Sequence, residues 1–270
     1  MSEIGKRTIS GGILVAVMLL CILGGSISFL AFFLLLIIGA LWEFYGMFFV
    51  VNIKPQRWSG IVITGILFLL SFFISAGLIS SEWYLLVIPS FLYIVISELF
   101  RVNDKPFENI AATVLGIIYI GLPVCLLWPI AYRDNIYQFN SHLVLGYFIL
   151  IWTYDTFAYL IGKQFGKRRL LERVSPKKSW EGAIGGLLVS FVTAVVIAHF
   201  FTDLSLFQWL VFALITTIFG TLGDLSESML KRSIGVKDSG NILPGHGGVM
   251  DRFDALFLAI PALYIYLQLI

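Results

Sequence analysis

The stretch that decides the fold runs from Ile27 to Val50 and reads ISFLAFFLLLIIGALWEFYGMFFV. It is apolar almost throughout. It is also longer than the stretch of about 20 residues that a helix needs to cross the hydrocarbon core of a bilayer. Gly39 does not prevent a spanning helix, because neighbouring helices can satisfy any backbone groups that are freed. The stretch therefore predicts a membrane-spanning α-helix.

Similar apolar runs recur along the chain and predict an all-α, polytopic membrane bundle. Of the 270 residues, 59% are hydrophobic and 13% are charged, whereas a soluble domain is closer to about half and a quarter. The nine candidate spans are Ile9–Leu23, Ile27–Val50, Trp58–Ser80, Trp83–Phe100, Phe107–Ile130, Leu143–Ile161, Trp180–Phe201, Leu206–Leu222 and Phe253–Ile270. No small-residue cleavage site marks the start as a signal peptide.

The basic residues predict the orientation, because lysine and arginine collect in cytoplasmic loops. With the N-terminus inside and nine alternating spans, all 18 basic residues except Arg133 fall on the cytoplasmic side. We therefore expect a cytoplasmic N-terminus and an external C-terminus. A merged or missed pair of spans would leave this sorting unchanged.

Polarity divides the chain near residue 140. Residues 1–140 have short loops and few acids, and we interpret them as a transmembrane scaffold of about five helices. Residues 141–270 hold two long basic loops and about four helices, which predicts the catalytic region. Cys21 and Cys125 lie within spans and are interpreted as small buried thiols, too few for a disulfide framework or a zinc site.

Two acidic residues lie inside predicted spans. Glu43 is expected near the cytoplasmic end of its helix, where water would solvate it. Asp155 lies near the middle of its span, so we expect it to face the bundle interior with a cationic or metal partner. A hydrogen-bonded structural acid remains the alternative for Asp155.

The segment Ser175–Gly182, SPKKSWEG, places two lysines and two hydroxyls at a predicted helix start. Ser179 can cap the helix, whose free N–H groups favour an anion. This pattern is typical of a phosphate site, although an ordinary basic membrane anchor has the same composition.

Carboxylates collect at the cytoplasmic ends of the last two spans. Asp224 and Glu227 are three residues apart and share a helical face, as do Asp251 and Asp254. Mg²⁺ prefers a few carboxylates together with substrate phosphates. Three aspartates from two helices therefore predict a site for one or two such ions, although a first-turn acid such as Asp254 also suits the helix dipole.

Three segments then resemble the signature of phosphatidate cytidylyltransferases, also called CDP-diacylglycerol synthases. They are Ser228–Arg232 (SMLKR), Lys237-Asp238 and Leu243–Asp254 (LPGHGGVMDRFD). The resemblance covers roughly residues 150–256 without departing from the signature, and the first half agrees only in being polytopic. The chain lacks the long polar N-terminal extension of eukaryotic members, so we expect a bacterial protein of the cytoplasmic (inner) membrane, with its active site facing the cytoplasm.

The resemblance implies that CTP and phosphatidic acid react to give CDP-diacylglycerol and pyrophosphate, with Mg²⁺ as cofactor. A second cation and a homodimer stay open, and no nucleic acid partner is expected. Both reactants are polyanions, so cations that position them and offset their charge are the main requirement. The lipid phosphate is largely ionised at neutral pH, since its second pKa is about 6, and it needs no strong base.

The implied roles fall into three overlapping groups. The predicted metal ligands are Asp224, Asp251, Asp254 and, as a secondary ligand, Glu227. The predicted catalytic residues are Asp224, Asp251, Asp254 and Lys231. The predicted substrate and phosphate contacts are Ser175, Lys177, Lys178, Ser179, Arg232, Lys237, His246, Gly247, Gly248, Arg252 and Asp155.

Three other functions make different demands on the sequence. A CDP-alcohol phosphotransferase motif begins with Asp-Gly, and this dipeptide does not occur in the chain. A lipid kinase using CTP or ATP would need a base for its alcohol nucleophile. An anion or lipid transporter would place its site near the bilayer midplane, often between related halves, whereas here the charge lies at helix ends and no internal repeat is found.

Overall fold

The protein is helical in this computed structural model, which describes residues 3–240, 242 and 247–270. Its helices are α1 (Glu3–Leu23), α2 (Ser26–Phe48), α3 (Arg57–Ser75), α4 (Val87–Leu99), α5 (Pro106–Gly116), α6 (Leu122–Cys125), α7 (Leu127–Ala131), α8 (His142–Phe165), α9 (Trp180–Phe200), α10 (Leu206–Ile234) and α11 (Met250–Leu269). One 3-10 turn, Phe49–Val51, follows α2, and another, Ser81–Leu86, precedes α4. A π-helical turn at Ile117–Gly121 joins α5 to α6. The prediction of an all-α fold is confirmed.

Among the described residues, one antiparallel hairpin lies between α8 and α9. Its strands are β1 (Arg169–Leu171) and β2 (Ser175–Ser179), with Arg169 opposite Ser179 and Leu171 opposite Ser175. We expected a basic loop here, because β2 contains a proline and two lysines, which are depleted in strands. The hairpin gives the two lysines of β2 fixed positions.

Eight helical segments of the described chain are long and apolar enough to cross a membrane, from Ser26–Val51 to Met250–Leu269. The first predicted span corresponds to α1, whose apolar part Gly11–Leu23 is shorter. The break before α2 falls at Gly25, which has a φ angle of 102°. Glycine adopts such a conformation without steric cost. A polytopic membrane protein is therefore confirmed, and the orientation of its termini stays a prediction.

The chain forms two compact units. Unit 1 consists of the residues up to Asn140 together with Ser233–Phe253, and unit 2 consists of Ser141–Arg232 and Asp254–Ile270. The functional division into a scaffold (1–140) and a catalytic region (141–270) stays a prediction.

The core of unit 1 is an aromatic cluster around Trp128, which is fully buried. Its ring centroid lies 4.6 Å from that of Phe72 and 4.9 Å from that of Phe29. Tilted aromatic pairs of this kind contribute about 0.5–1.5 kcal/mol each beyond the area they bury. The cluster thus holds α2 and α3 against α7.

A second feature of unit 1 is a buried polar network around Glu98 of α4. Its carboxylate accepts hydrogen bonds from Gln56 Nε2 (2.8 Å), Asn109 Nδ2 (2.8 Å) and Arg101 Nη1 (2.6 Å). A buried carboxylate is tolerated when it is paired and hydrogen-bonded in this way. The network joins α4 to α5 and to the chain that precedes α3.

Glycines bring α8 and α9 together in unit 2. A Cβ atom added to Gly182 would lie 2.6 Å from the carbonyl oxygen of Ala158, and one added to Gly186 would lie 2.9 Å from that of Tyr154. Close backbone approach through small residues is a common way for helices to associate in membranes. The tight pair fixes both ends of the hairpin between its helices.

The orientation can be tested with single cysteines on either side of α8. Gln138 and Arg173 are exposed, and the one candidate span between them, His142–Phe165, puts them on opposite sides of the membrane. In a background without Cys21 and Cys125, Arg173→Cys should react with an impermeant maleimide only in inside-out vesicles. Gln138→Cys should react only in right-side-out vesicles. The reverse pattern would refute a cytoplasmic N-terminus combined with nine spans, and labelling of both from one side would refute the span.

Candidate active site in unit 2

Three predicted carboxylates meet in unit 2. One carboxylate oxygen from each of Asp224, Glu227 and Asp254 lies within 4.8 Å of the others. Gly223 makes this convergence possible, because an added Cβ atom would lie 2.6 Å from the carbonyl oxygen of Asp254 and 3.1 Å from Ala255 Cα. The backbones of α10 and α11 therefore touch here. Such a group of hard oxygen ligands suits a divalent cation.

Two lysines pair with this carboxylate cluster. Lys178 of β2 forms an ion pair with Asp224, and Lys231 Nζ lies 2.9 Å from Glu227 Oε2 one helical turn away. The Glu227 side chain is only 1% exposed. A carboxylate so deeply buried requires cationic or hydrogen-bonding partners. The cluster therefore combines acidic and basic groups within hydrogen-bonding distance.

The charge state of Lys178 follows from these neighbours. Burial by itself lowers the pKa of its ammonium group. The charge of Asp224 and their hydrogen bond outweigh burial and raise the pKa above its ordinary value, and the charges of Asp155 and Asp254 act in the same direction. Lys178 is thus a cation throughout the neutral pH range.

Lys178 also lines a cavity of about 440 Å³ in the same unit. The walls include three more predicted substrate contacts, namely Asp155 of α8 and Lys177 and Ser179 of β2. Asp155 is exposed on this wall and acts electrostatically on Lys178. The cavity and the carboxylate cluster therefore share Lys178, and a ligand in the cavity would contact the cluster through this lysine.

Ser179 has the capping role that its position predicted. Its Oγ accepts a hydrogen bond from Gly182 N at 3.2 Å, at the start of α9. An N-cap serine of this kind stabilises a helix by typically about 1 kcal/mol. Ser175 lies at the other end of β2, opposite Leu171.

Sequence reasoning left two basic residues of this cavity without a role. Lys163 near the end of α8 and Arg169 of β1 both line it. Their signal was the basic run after Asp155, which also fits an ordinary cytoplasmic anchor. In the structure, the hairpin register places Arg169 opposite Ser179, and Lys163 lies in the last turn of α8.

Other predicted contacts lie in unit 1, in the segment that leads into α11. Asp251 Oδ2 accepts hydrogen bonds from Gly248 N at 2.9 Å and from Ser239 N at 3.3 Å. Gly247 has a φ angle of 80°, which favours glycine. Asp251 thus closes a turn at the start of the helix, and its role as a metal ligand stays a prediction.

The remaining predicted cations are exposed. They are Lys237 and Arg252 in unit 1 and Arg232 in unit 2. Their roles as phosphate contacts stay predictions. His246 lies outside the described residues.

The expectation for Glu43 was wrong. Its residue surface is 4% exposed, and its Oε2 accepts a hydrogen bond from Met250 N at 3.0 Å. Burial in the helix bundle, with backbone donors from a distant part of the chain, replaces the solvation that we expected.

Comparisons with known proteins show the family of the chain. A family model described as the cytidylyltransferase family matches residues 5–270. A protein of Staphylococcus haemolyticus named phosphatidate cytidylyltransferase is 40% identical over 184 residues, which is 67% of this chain and 68% of that protein. Proteins of the same name from Bacillus subtilis (40% over 170 residues, 62% of this chain and 61% of that protein) and Staphylococcus aureus (38% over 184 residues, 67% and 68%) are also similar.

Substitution of Gly223 tests the helix contact behind the carboxylate cluster. Alanine is the better helix former by about 1 kcal/mol, yet at Gly223 its Cβ would overlap the backbone of α11. We expect Gly223→Ala to lower stability by about 1–3 kcal/mol, measured as thermal unfolding in detergent. The matched control is Gly12→Ala, where an added Cβ meets nothing within 4 Å. Equal melting of the two variants would contradict the close approach.

Proposed function

Because the chain belongs to the cytidylyltransferase family, we propose that it transfers the cytidylyl group of CTP to phosphatidic acid. An oxygen of the lipid phosphate attacks the α-phosphorus of CTP, and the bond to the β-phosphate breaks. The products are CDP-diacylglycerol and pyrophosphate. The observation that carries the proposal is the shared Lys178, which lines the cavity and pairs with Asp224 of the carboxylate cluster.

The basic residues of the cavity have a direct task in this reaction. Lys163, Arg169, Lys177 and Lys178 line one cavity, and the reactants that they would hold are both polyanions. Positioned cations in a partly dry site offset the repulsion between two such reactants and favour the charge that develops in the transition state. The lipid phosphate is already ionised, so the absence of a histidine from the described lining is consistent with the chemistry.

The carboxylate cluster fits a divalent cation, which we propose to be Mg²⁺. Asp224, Glu227 and Asp254 would hold it, since their oxygens lie within 4.8 Å of one another and Mg²⁺ takes carboxylate and phosphate oxygens. When bound, the ion would neutralise phosphate charge near the lysines. Asp251 is proposed as a further ligand on the sequence signature alone.

The proposed location is a bacterial cytoplasmic membrane with the site on its cytoplasmic side. The relatives named above are bacterial, and the eight apolar helices require a bilayer. CTP is a cytoplasmic metabolite and phosphatidic acid is a membrane lipid. A site at the helix ends on the side to which most of the basic residues are predicted to sort would let the two meet at the membrane surface.

The first test is the reaction itself. Purified protein with CTP, phosphatidic acid and Mg²⁺ should release pyrophosphate in amounts equal to the CDP-diacylglycerol formed, with ATP and dATP as controls. Release of CDP or ADP with a phosphorylated lipid would instead identify a kinase. Uptake of an anion into liposomes without chemistry would identify a transporter. A folded protein that releases no pyrophosphate from CTP would overturn the proposal.

A second test concerns the carboxylate cluster. Asp254→Asn keeps the size of the side chain but removes its charge, so we expect turnover to fall roughly a hundredfold or more. Mg²⁺ should raise the melting temperature of the wild type, because a ligand that binds only the folded state stabilises it. The variant should lose most of this shift.

The matched control for that test is Asp134→Asn. Asp134 is exposed and pairs with Arg133 in a loop remote in sequence from the cluster. It should leave both turnover and the Mg²⁺ shift unchanged. A wild-type Mg²⁺ shift in Asp254→Asn would exclude this carboxylate as a ligand.

A further inference from the structure

Glu43 of α2 is a buried acid for which neither the family signature nor the carboxylate cluster accounts. It is 4% exposed and lies in an apolar helix. Ionisable groups inside membrane spans are costly and mark functional positions more often than packing positions. Its contacts therefore indicate what its carboxylate does.

The first contact is with the start of α11. Glu43 Oε2 accepts a hydrogen bond of 3.0 Å from the backbone N–H of Met250, the first residue of that helix. The first N–H groups of a helix have no partner within the helix and need one from outside. A residue of α2 therefore caps the N-terminus of α11. The positive end of the helix dipole in turn stabilises negative charge on its carboxylate.

The second set of contacts lies on the other side of the glycine-rich segment. Ser239 Oγ donates to the same Oε2 atom at 3.4 Å. A Cβ atom added to Gly240 would lie 2.5 Å from Glu43 Oε1, and one added to Gly248 would lie 2.5 Å from Oε2. One carboxylate therefore touches residues that precede and residues that follow the stretch 241–247.

Neighbouring contacts strengthen this connection. Gly39 lies one turn before Glu43 on α2, and an added Cβ there would lie 3.2 Å from Val249 Cγ2. Asp251 Oδ2 accepts the N–H groups of Ser239 and Gly248. The two ends of the stretch are therefore held together by two carboxylates, one from α11 itself and one from α2.

We propose that Glu43 is a positioning residue for the reaction. It fixes Ser239, Gly240 and Gly248 and the first turn of α11, which bears Asp251. The inference rests on the proposed function, because Gly247 and Gly248 are predicted phosphate contacts and we assign them to the triphosphate of CTP. Glu43 would touch neither substrate, and its effect would pass through the backbone that it holds.

The first experiment needs no catalysis. Amide hydrogen exchange of the wild type, Glu43→Ala and Glu43→Gln is compared in peptides that cover 239–252. We expect exchange there to rise roughly tenfold or more in Glu43→Ala, because an amide that loses its acceptor opens more often. Glu43→Gln retains one acceptor oxygen and should lie between the two. Unchanged exchange in both variants would overturn the inference.

Glu98→Ala is the matched control. Glu98 is also a buried acid of unit 1, but its carboxylate accepts hydrogen bonds from the side chains of Gln56, Arg101 and Asn109. Its loss should raise exchange around 98–113 and leave 239–252 protected. If exchange at 239–252 rises as much in Glu98→Ala as in Glu43→Ala, Glu43 contributes only to general stability and the inference fails.

The second experiment separates positioning from folding in the assay with CTP and phosphatidic acid. In Glu43→Ala, the misplaced segment should lower kcat/KM for CTP by roughly ten- to a hundredfold. This is the size of effect expected from the loss of one hydrogen bond to a charged group. KM for CTP should rise while KM for phosphatidic acid stays constant. A loss of folded protein alone would lower the rate and leave both KM values unchanged, which would contradict a positioning role.

The two proposals fail separately. If the wild type releases no pyrophosphate, the proposed function fails, and the exchange measurements still decide whether Glu43 holds the segment. If the wild type is active and Glu43→Gln and Glu43→Ala keep wild-type KM for CTP, the positioning role fails while the function stands.

Discussion

Repulsion among Asp224, Glu227 and Asp254 is the constraint on which the arrangement of unit 2 depends. Two like charges about 4 Å apart repel by about 4 kcal/mol at an effective dielectric constant of 20, and these oxygens lie within 4.8 Å of one another. Packing at Gly223 forces the approach, and ion pairs with Lys178 and Lys231 offset the repulsion. The lysines are therefore as necessary to the cluster as the acids.

This constraint explains why a hairpin occurs in a protein that is otherwise helical. Lys231 reaches Glu227 from the same helix, as residues four apart do. Lys178 has to come from another element, and β2 ends at the N-cap of α9, which glycines press against α8. The same strand places Lys177 and Ser179 on the cavity wall. The same strand therefore supplies the partner of Asp224 and lines the cavity of about 440 Å³ with basic residues.

The sequence predicts what local spacing determines, and it also predicted that carboxylates of the last two spans would meet. Ser179 as a cap and the apolar spans follow from short-range rules, and the structure has both. Spacing also placed Asp224 beside Glu227, but the partner of Asp224 depends on the hairpin, which no periodicity indicated. Glu43 shows the limit most clearly, since its donors come from a segment about 200 residues later in the chain.

Three buried or half-buried acids are stabilised in three different ways, and the difference bears on their roles. Glu98 is surrounded by amide and guanidinium side chains, which form a closed network and leave little capacity for a ligand. Asp224 faces a lysine that also lines a cavity, so an incoming anion or cation can compete for either partner. Glu43 binds mainly backbone groups, and a carboxylate on backbone donors fixes a chain path without recognising any side chain. The type of donor that each carboxylate accepts therefore distinguishes these three acids, which burial alone does not.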